Sequence, residues 1–102
     1  MAEGMTKKGY WIGRLNITDQ AAYDSYRSRN AAPIAAHGGR FIVRGGPFET
    51  AFGEARQHNV VVEFPSYEAA LACYRSAAYQ DAAKDLKRGA QIDLIIIEGY
   101  EG

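Results

Sequence analysis

The sequence predicts a single α+β domain in which strands and helices follow one another in the order β-α-β-β-α-β. Four short segments rich in aromatic and β-branched residues have the composition of strands, at residues 10–18, 40–44, 57–64 and 92–98. After the first and third strands, apolar residues recur at the three-to-four-residue spacing of a helix. At 102 residues the chain is long enough for one domain and too short for two.

Helix-capping side chains indicate where the helices begin. Asp19 offers an oxygen to the open amides of the first helix, and Ser66 does so for the second. Pro33 lacks an N–H, so we expect a kink or a restart at this point of the first helix. Ser76 begins a further short helix that ends at Gly89.

This order of elements is the split βαβ, or ferredoxin-like, arrangement. Right-handed crossovers place both helical segments on one face of a four-stranded antiparallel sheet, with the usual strand order 4-1-3-2. We assign the domain to residues 9–102 and expect residues 1–8 to be a flexible lead-in.

The strand sequences predict a homodimer. A strand with one face in water alternates apolar and polar residues. In the last strand, however, Leu94 and Ile96 point to one side while Ile95 and Ile97 point to the other. The helices can cover only one of the two apolar faces, so we expect a second copy of the chain to cover the helix-free face in a homodimer.

Charged side chains on the predicted helix-free face suggest a binding site. If Leu15, Val43 and Val62 face the helices, the opposite face carries a polar set that comprises Arg14, Asn16, Arg40, Arg44, Asn59 and Glu63. The expected strand order puts Glu63 between Arg14 and Arg44. Enclosed charges are costly unless they are paired, so the second arginine would favour an acidic ligand.

We therefore predict ligand-binding roles for Arg14, Asn16, Arg44, Glu63 and Tyr26, with Tyr26 reaching the pocket mouth. Arg44 would bind a carboxylate or enolate through two hydrogen bonds. If burial raises its pKa, Glu63 would act as a general base, which makes Glu63 and Arg44 the candidate catalytic residues. The alternative is that these charges form a salt-bridge network at the dimer interface.

Composition excludes several other classes of function. Twelve basic and twelve acidic residues give no net charge, which argues against binding to nucleic acids or membrane surfaces. The chain has a single cysteine, so we expect no internal disulfide. Its two histidines, His37 and His58, do not have the spacing of metal ligands, and we expect neither a metal nor another cofactor. The N-terminal residues do not look like a signal peptide, so we expect a cytoplasmic protein.

Three segments and the closing apolar strand resemble a known family. The segments GYWIGRLNITD, HGGRFIVRGG and VVVEFPSYEAALACYRSAAYQ are similar to the family called domain of unknown function 1330, over roughly residues 8–100. This family belongs to the dimeric α/β-barrel superfamily, in which two ferredoxin-like sheets pack face to face. The resemblance thus implies the same fold and dimer as the strand pattern, and it assigns no activity.

For function, we expect a small dimeric protein that binds a small acidic or aromatic metabolite in a cavity on the helix-free sheet face. One alternative is a cofactor-independent isomerase or monooxygenase acting on such a compound. Another is a non-catalytic structural or stress-related dimer. A filled cavity with fully paired charges would favour the last of these.

Overall fold

The computed structural model describes residues 7–101. Four strands and three helices follow in the predicted order: β1 Gly9–Ile17, α1 Gln20–Ala36, β2 Arg40–Arg44, β3 His58–Phe64, α2 Tyr67–Arg75, α3 Ala77–Gly89 and β4 Ala90–Glu98. Strand ends differ from the prediction by one or two residues. The expected lead-in, residues 1–8, lies outside the described residues except for its last two, as does Gly102 at the end of the assigned domain.

The strands form one antiparallel sheet with the order β2-β3-β1-β4, which confirms the predicted order. The central strand β1 pairs with β3 on one side and with β4 on the other. Trp11 in the middle of the sheet therefore lies between Val62 and Ile96. The short strand β2 forms one edge of the sheet, and β4 forms the other.

The predicted caps begin all three helices. Side-chain oxygens of Asp19, Ser66 and Ser76 accept hydrogen bonds from the backbone N–H three residues later, at 3.2, 3.0 and 3.3 Å. The helix α1 continues through Pro33, so the expected restart does not occur. Pro33 and Ile34 are both buried, and tertiary packing of this kind keeps a helix turn in place despite a missing N–H donor.

The core lies between the sheet and the helices, which cover one face. Trp11 is 3% exposed, and its ring packs against Phe64 and Tyr79 with centroids 5.2 and 4.7 Å away. Its indole Nε1 donates a hydrogen bond to the Ala70 carbonyl of α2 at 2.9 Å. None of the helices within residues 7–101 is both long and apolar enough to cross a membrane.

A bulge in β2 changes the predicted register of this strand. Phe41 lies opposite Val62, but Val43 lies opposite Val61, so Ile42 is an extra residue without a partner. An extra residue reverses the side to which the following side chains point. An edge strand accommodates this change because it is paired on one side only.

The bulge corrects the predicted facing of two residues. Val43, expected to face the helices, lies on the helix-free face and is 42% exposed. Arg44, expected on the helix-free face, pairs with Val60 and lies on the helix side. The structure therefore separates Arg44 from Glu63 and Arg14.

Candidate functional site

One face of α1 places four side chains over the centre of the sheet. Tyr23, Arg27, Asn30 and Ile34 follow one another at spacings of four, three and four residues, and such residues share a helix face. This face does not pack completely against β1 and β3. The space that remains has two adjoining parts.

The inner part is a cavity of about 40 Å³ between α1, α3 and the sheet. Its walls are mainly aromatic and aliphatic, and they include Trp11, Leu15, Tyr26, Asn30, Phe41, Val62, Tyr79 and Leu94. A buried water needs roughly 10 to 15 Å³ of such volume. The inner cavity therefore has room for a few water molecules or for one small chemical group.

Two tyrosine hydroxyls meet at this cavity. The oxygens of Tyr26 and Tyr79 are 2.8 Å apart and share one hydrogen bond. Burial raises the pKa of Tyr26, while hydrogen bonds from Tyr79 and Asn30 oppose the rise. Burial, reinforced by the neighbouring Tyr26, raises the pKa of Tyr79. Both hydroxyls therefore stay protonated at neutral pH.

Asn30 also lines the inner cavity and is only 4% exposed. Its Oδ1 atom is buried and accepts no hydrogen bond from any of residues 7–101. An unsatisfied buried acceptor of this kind costs about 1–3 kcal/mol. Such an atom therefore needs an explanation, and its position on a cavity wall suggests one.

The outer part is a wider pocket of about 300 Å³, which opens to solvent beside the ends of β1 and β2. Tyr23, Arg27, Arg44 and Val60 line both parts, so the outer pocket and the inner cavity adjoin each other. The other walls of the outer pocket are Ile17, Gln20, Gly45 and His58. We refer to the inner cavity and the outer pocket together as the cleft.

Two arginines mark the junction between the two parts. The guanidinium carbon of Arg44 lies 3.9 Å from the centre of the Phe41 ring, a cation–π contact that fixes its position. Neither Arg27 nor Arg44 forms a salt bridge with a carboxylate of the described residues. Burial raises the pKa of Tyr23, and the charges of Arg27 and Arg44 oppose this rise. The junction is therefore positively charged.

The predicted residues Arg14 and Asn16 lie on the helix-free face, as expected, but not beside Glu63. Arg14 pairs with Asp93 at 3.3 Å, and Arg56 pairs with the same carboxylate at 3.0 Å. The Asn16 side-chain oxygen accepts a hydrogen bond from the Gln57 N–H at 2.8 Å. These contacts connect the chain before β3 to one end of the sheet.

Glu63 lies on the same face, with partners other than those predicted. Arg40 donates to its carboxylate at 3.0 Å, and the Tyr10 hydroxyl donates at 3.2 Å. Arg40 is therefore the arginine beside Glu63, because the register of β1 and the bulge in β2 carry Arg14 and Arg44 elsewhere. The Arg40 hydrogen bond lowers the pKa of Glu63 although partial burial opposes this. The shift is opposite to the one that a general base would need.

Tyr26 lines the cleft, but at its inner end and on the helix side of the sheet. Sequence reasoning missed Arg27, Asn30 and His58 as site residues. Asn30 carried a usable signal, since it is a polar residue on the apolar stripe that contains Tyr23 and Ile34. His58 stacks on Tyr23 with ring centres 6.5 Å apart.

Other reactive groups do not form a second site within residues 7–101. No three side chains among the described His, Cys, Asp and Glu residues lie close enough together to hold a metal ion. Cys73 is fully buried, and burial raises its pKa to about 11, so its thiol stays protonated. Arg14 and Asn16 line another pocket, of about 280 Å³, in which Arg14 and Arg56 are both paired with Asp93. We take the cleft as the candidate site because its two arginines form no salt bridge with the described carboxylates.

Comparison with solved structures shows the same fold in three proteins of low identity. A protein of unknown function from Rhodopseudomonas palustris has a TM-score of 0.77 at 17% identity, over 94% of this chain and 85% of its own. SnoaB, a cofactor-independent oxygenase from Streptomyces nogalater, has a TM-score of 0.63 at 14% identity, over 95% and 97%. A dimeric protein of unknown function and ferredoxin-like fold from Bacteroides fragilis has a TM-score of 0.59 at 13% identity, over 90% and 96%.

Comparison by sequence gives the family. No protein of curated function matches the chain. The model of the family described as "Domain of unknown function (DUF1330)" matches residues 8–100, nearly the whole sequence. The chain therefore belongs to the DUF1330 family and has the ferredoxin-like fold.

Proposed function

We propose that this protein binds a small acidic or aromatic molecule in the cleft, with Arg27 and Arg44 holding the acidic group. The observation that carries the proposal is a pair of arginines without salt bridges among residues 7–101, placed over a pocket with aromatic walls. A guanidinium binds a carboxylate through two parallel hydrogen bonds. At about 300 Å³, the outer pocket is at the small end of the range for ligand sites.

This site lies on the helix side of the sheet, whereas the sequence predicted a cavity on the helix-free face. Of the predicted binding residues, Arg44 and Tyr26 belong to the cleft. Arg14, Asn16 and Glu63 lie on the helix-free face. Arg14 and Asn16 line a separate pocket of about 280 Å³ there, with Glu54, Ala55, Arg56 and Gln91, and Glu63 is not part of it. A ligand-binding role for these three residues stays a prediction.

The test compares arginine variants on opposite faces of the sheet. A thermal-shift screen of small carboxylates and phenols is followed by calorimetry on Arg27→Gln, Arg44→Gln and the control Arg40→Gln. A ligand at 100 times its Kd adds about 2.7 kcal/mol, or several degrees in Tm. Each hydrogen bond to a charged group contributes about 1.5–3 kcal/mol, so each cleft variant should lose at least about tenfold in affinity. Equal losses in Arg40→Gln, or no loss in the cleft variants, would contradict the assignment.

We further propose that two copies associate through the helix-free face. Five aliphatic side chains on this face are 38 to 53% exposed, namely Ile12, Ile42, Val43, Ile95 and Ile97. The Arg14–Asp93–Arg56 and Tyr10–Glu63–Arg40 clusters flank them. An apolar centre with a polar rim is the usual composition of a homodimer interface. The Bacteroides fragilis neighbour is described as dimeric, which supports the association of two copies here, while the choice of surface rests on the exposed aliphatic side chains.

Charge reversal at the centre of this face tests the dimer. Ile12→Asp with Ile95→Asp should convert a dimer to a folded monomer in light scattering at micromolar concentration. The matched control is Phe52→Asp, an almost fully exposed aromatic in the loop between β2 and β3. Light scattering that shows the wild-type protein as a monomer at micromolar concentration would contradict the proposal.

A second candidate function is turnover of the bound molecule. It is favoured by the fold shared with SnoaB, described as a cofactor-independent oxygenase, and by His58 in the outer pocket. An imidazole there would accept the proton of a bound phenol or enol, and Arg27 and Arg44 would hold the anion formed. Proton removal begins an isomerisation and, with dioxygen as the oxidant, an oxygenation. His58→Gln should then abolish turnover while ligand binding persists.

If bound ligands are never converted, the protein is a binding module. If no acidic or aromatic ligand binds and the charge variants only lower stability, it is a structural dimer. A cytoplasmic location stays a prediction from the sequence.

A further inference from the structure

Asn30 places a polar atom without a hydrogen-bond partner on the wall of the inner cavity. The residue is only 4% exposed, and its Oδ1 accepts no hydrogen bond from residues 7–101. The hydroxyls of Tyr26 and Tyr79 share one hydrogen bond, and neither donates to this Oδ1. A donor that reaches the inner cavity from the outer pocket would satisfy the acceptor.

The size of the inner cavity limits what that donor is. About 40 Å³ is too small for an aromatic ring beside the existing walls but sufficient for a hydroxyl or amino group. The ring or chain that carries this group would occupy the outer pocket of about 300 Å³. Arg27 and Arg44 lie at the junction, on the walls of both parts.

We propose that the ligand of the cleft is a hydroxylated or aminated organic acid, whose O–H or N–H donates a hydrogen bond to Asn30 Oδ1. This inference rests on the proposed function, because it assumes that Arg27 and Arg44 hold the acidic group. The hydroxyl or amino group then reaches the inner cavity while the acidic group stays at the junction, so the position of the donor on the ring decides whether both contacts form.

An ordered water on Asn30 Oδ1 is the competing arrangement, since buried waters commonly satisfy such atoms. The two arrangements differ in how a ligand's donor affects affinity. A hydroxyl that replaces the water and keeps its hydrogen bond should gain affinity, whereas a methoxy group cannot donate and should lose it. A ligand that stops short of the water would be insensitive to either group.

The test is calorimetric titration with matched acids of equal charge. The first series of probes is benzoate and its 4-hydroxy, 2-hydroxy and 4-methoxy forms. Cinnamate and 2-naphthoate give two further series, each with one hydroxy form near the acid and one far from it. Wild type should bind one hydroxy isomer in each series about tenfold more tightly than the parent acid, the factor expected for one hydrogen bond. Asn30→Leu should bind parent and hydroxy acid equally, while Arg44→Gln should weaken both and keep their ratio.

A second measurement keeps the inference testable if Asn30→Leu folds poorly. In ¹H–¹⁵N spectra of wild type, the side-chain amide signals of Asn30 should shift with the preferred hydroxy acid and much less with the parent acid. Tyr79→Phe, which leaves Asn30 in place, should retain at least part of the hydroxyl preference. Binding of the acids with no preference for any hydroxy isomer over its parent and its methoxy form would overturn this inference and leave the proposed function standing. Failure of every acid to bind would overturn both.

Discussion

Replacing Asn30 by leucine should stabilise the ligand-free protein, although most substitutions of buried residues destabilise. Leucine has a similar shape and no polar atom, so the variant no longer buries an unpaired Oδ1 against the walls of the inner cavity. Replacing an unsatisfied buried group by an apolar one can be stabilising, because the full desolvation cost of that group disappears.

The magnitude follows from two opposing contributions. Removing the unpaired acceptor returns about 1–3 kcal/mol, and losing the hydrogen bond from the Asn30 amide to Tyr26 costs about 0.5–1.5 kcal/mol. The free energy of unfolding should therefore rise by about 1 kcal/mol. For a domain of this size that corresponds to an increase in Tm of about 4–8 °C.

The assay is urea unfolding of wild type, Asn30→Leu and Asn30→Ala at one protein concentration, since dimerisation makes stability depend on concentration. Asn30→Ala is the matched control. It removes the same acceptor but leaves a void, so its free energy of unfolding should rise little or not at all. A folded Asn30→Leu variant that is 2 kcal/mol less stable than wild type would refute the reasoning. Asn30 would then be a structural residue, held by a permanent water.

Three further predictions concern the framework around the cleft. Arg40 lowers the pKa of Glu63 on folding, so the contribution of Glu63 to stability is complete above its unfolded pKa of about 4.3 and is lost as the pH falls below that value. Glu63→Gln should therefore reduce the fall of the unfolding free energy at acid pH, and an unchanged fall would contradict the pairing with Arg40. Gly9→Ala would place a Cβ 2.4 Å from the Ser66 carbonyl oxygen, so it should lose about 1–3 kcal/mol in urea unfolding, while Gly46→Ala, with no atom within 4 Å, should lose much less. Cys73 should react with iodoacetamide at pH 8 in denaturant but not in the native state, since burial raises its pKa to about 11; rapid native labelling would contradict this.

The element order and the sheet followed from local signals in the sequence. Capping residues such as Asp19, Ser66 and Ser76 act within one helical turn, so they specify helix starts without tertiary information. Alternation placed Trp11 and Leu15 towards the helices correctly, because β1 is regular from end to end. The order of the strands followed from the handedness of the crossovers.

The candidate site depended on a feature that alternation does not reveal. In the segment RFIVR both Ile42 and Val43 are apolar, so the sequence does not show that one of them is an extra residue that turns Arg44 towards the helices. The bulge is favoured by contacts formed only in the folded chain, including the stacking of Arg44 on Phe41. Asn30, in contrast, was readable as a polar exception on an apolar helix stripe.

The extra residue in β2 also means that this strand can be shortened by one residue without turning Arg44. Phe41 lies opposite Val62, Val43 opposite Val61 and Arg44 opposite Val60, so deleting Ile42 would leave these pairs in place and restore a regular strand. Arg44 would stay at the junction, while the helix-free face would lose one exposed aliphatic side chain. The deletion would therefore weaken the proposed dimer and keep the anion-binding pair, which separates self-association from ligand binding.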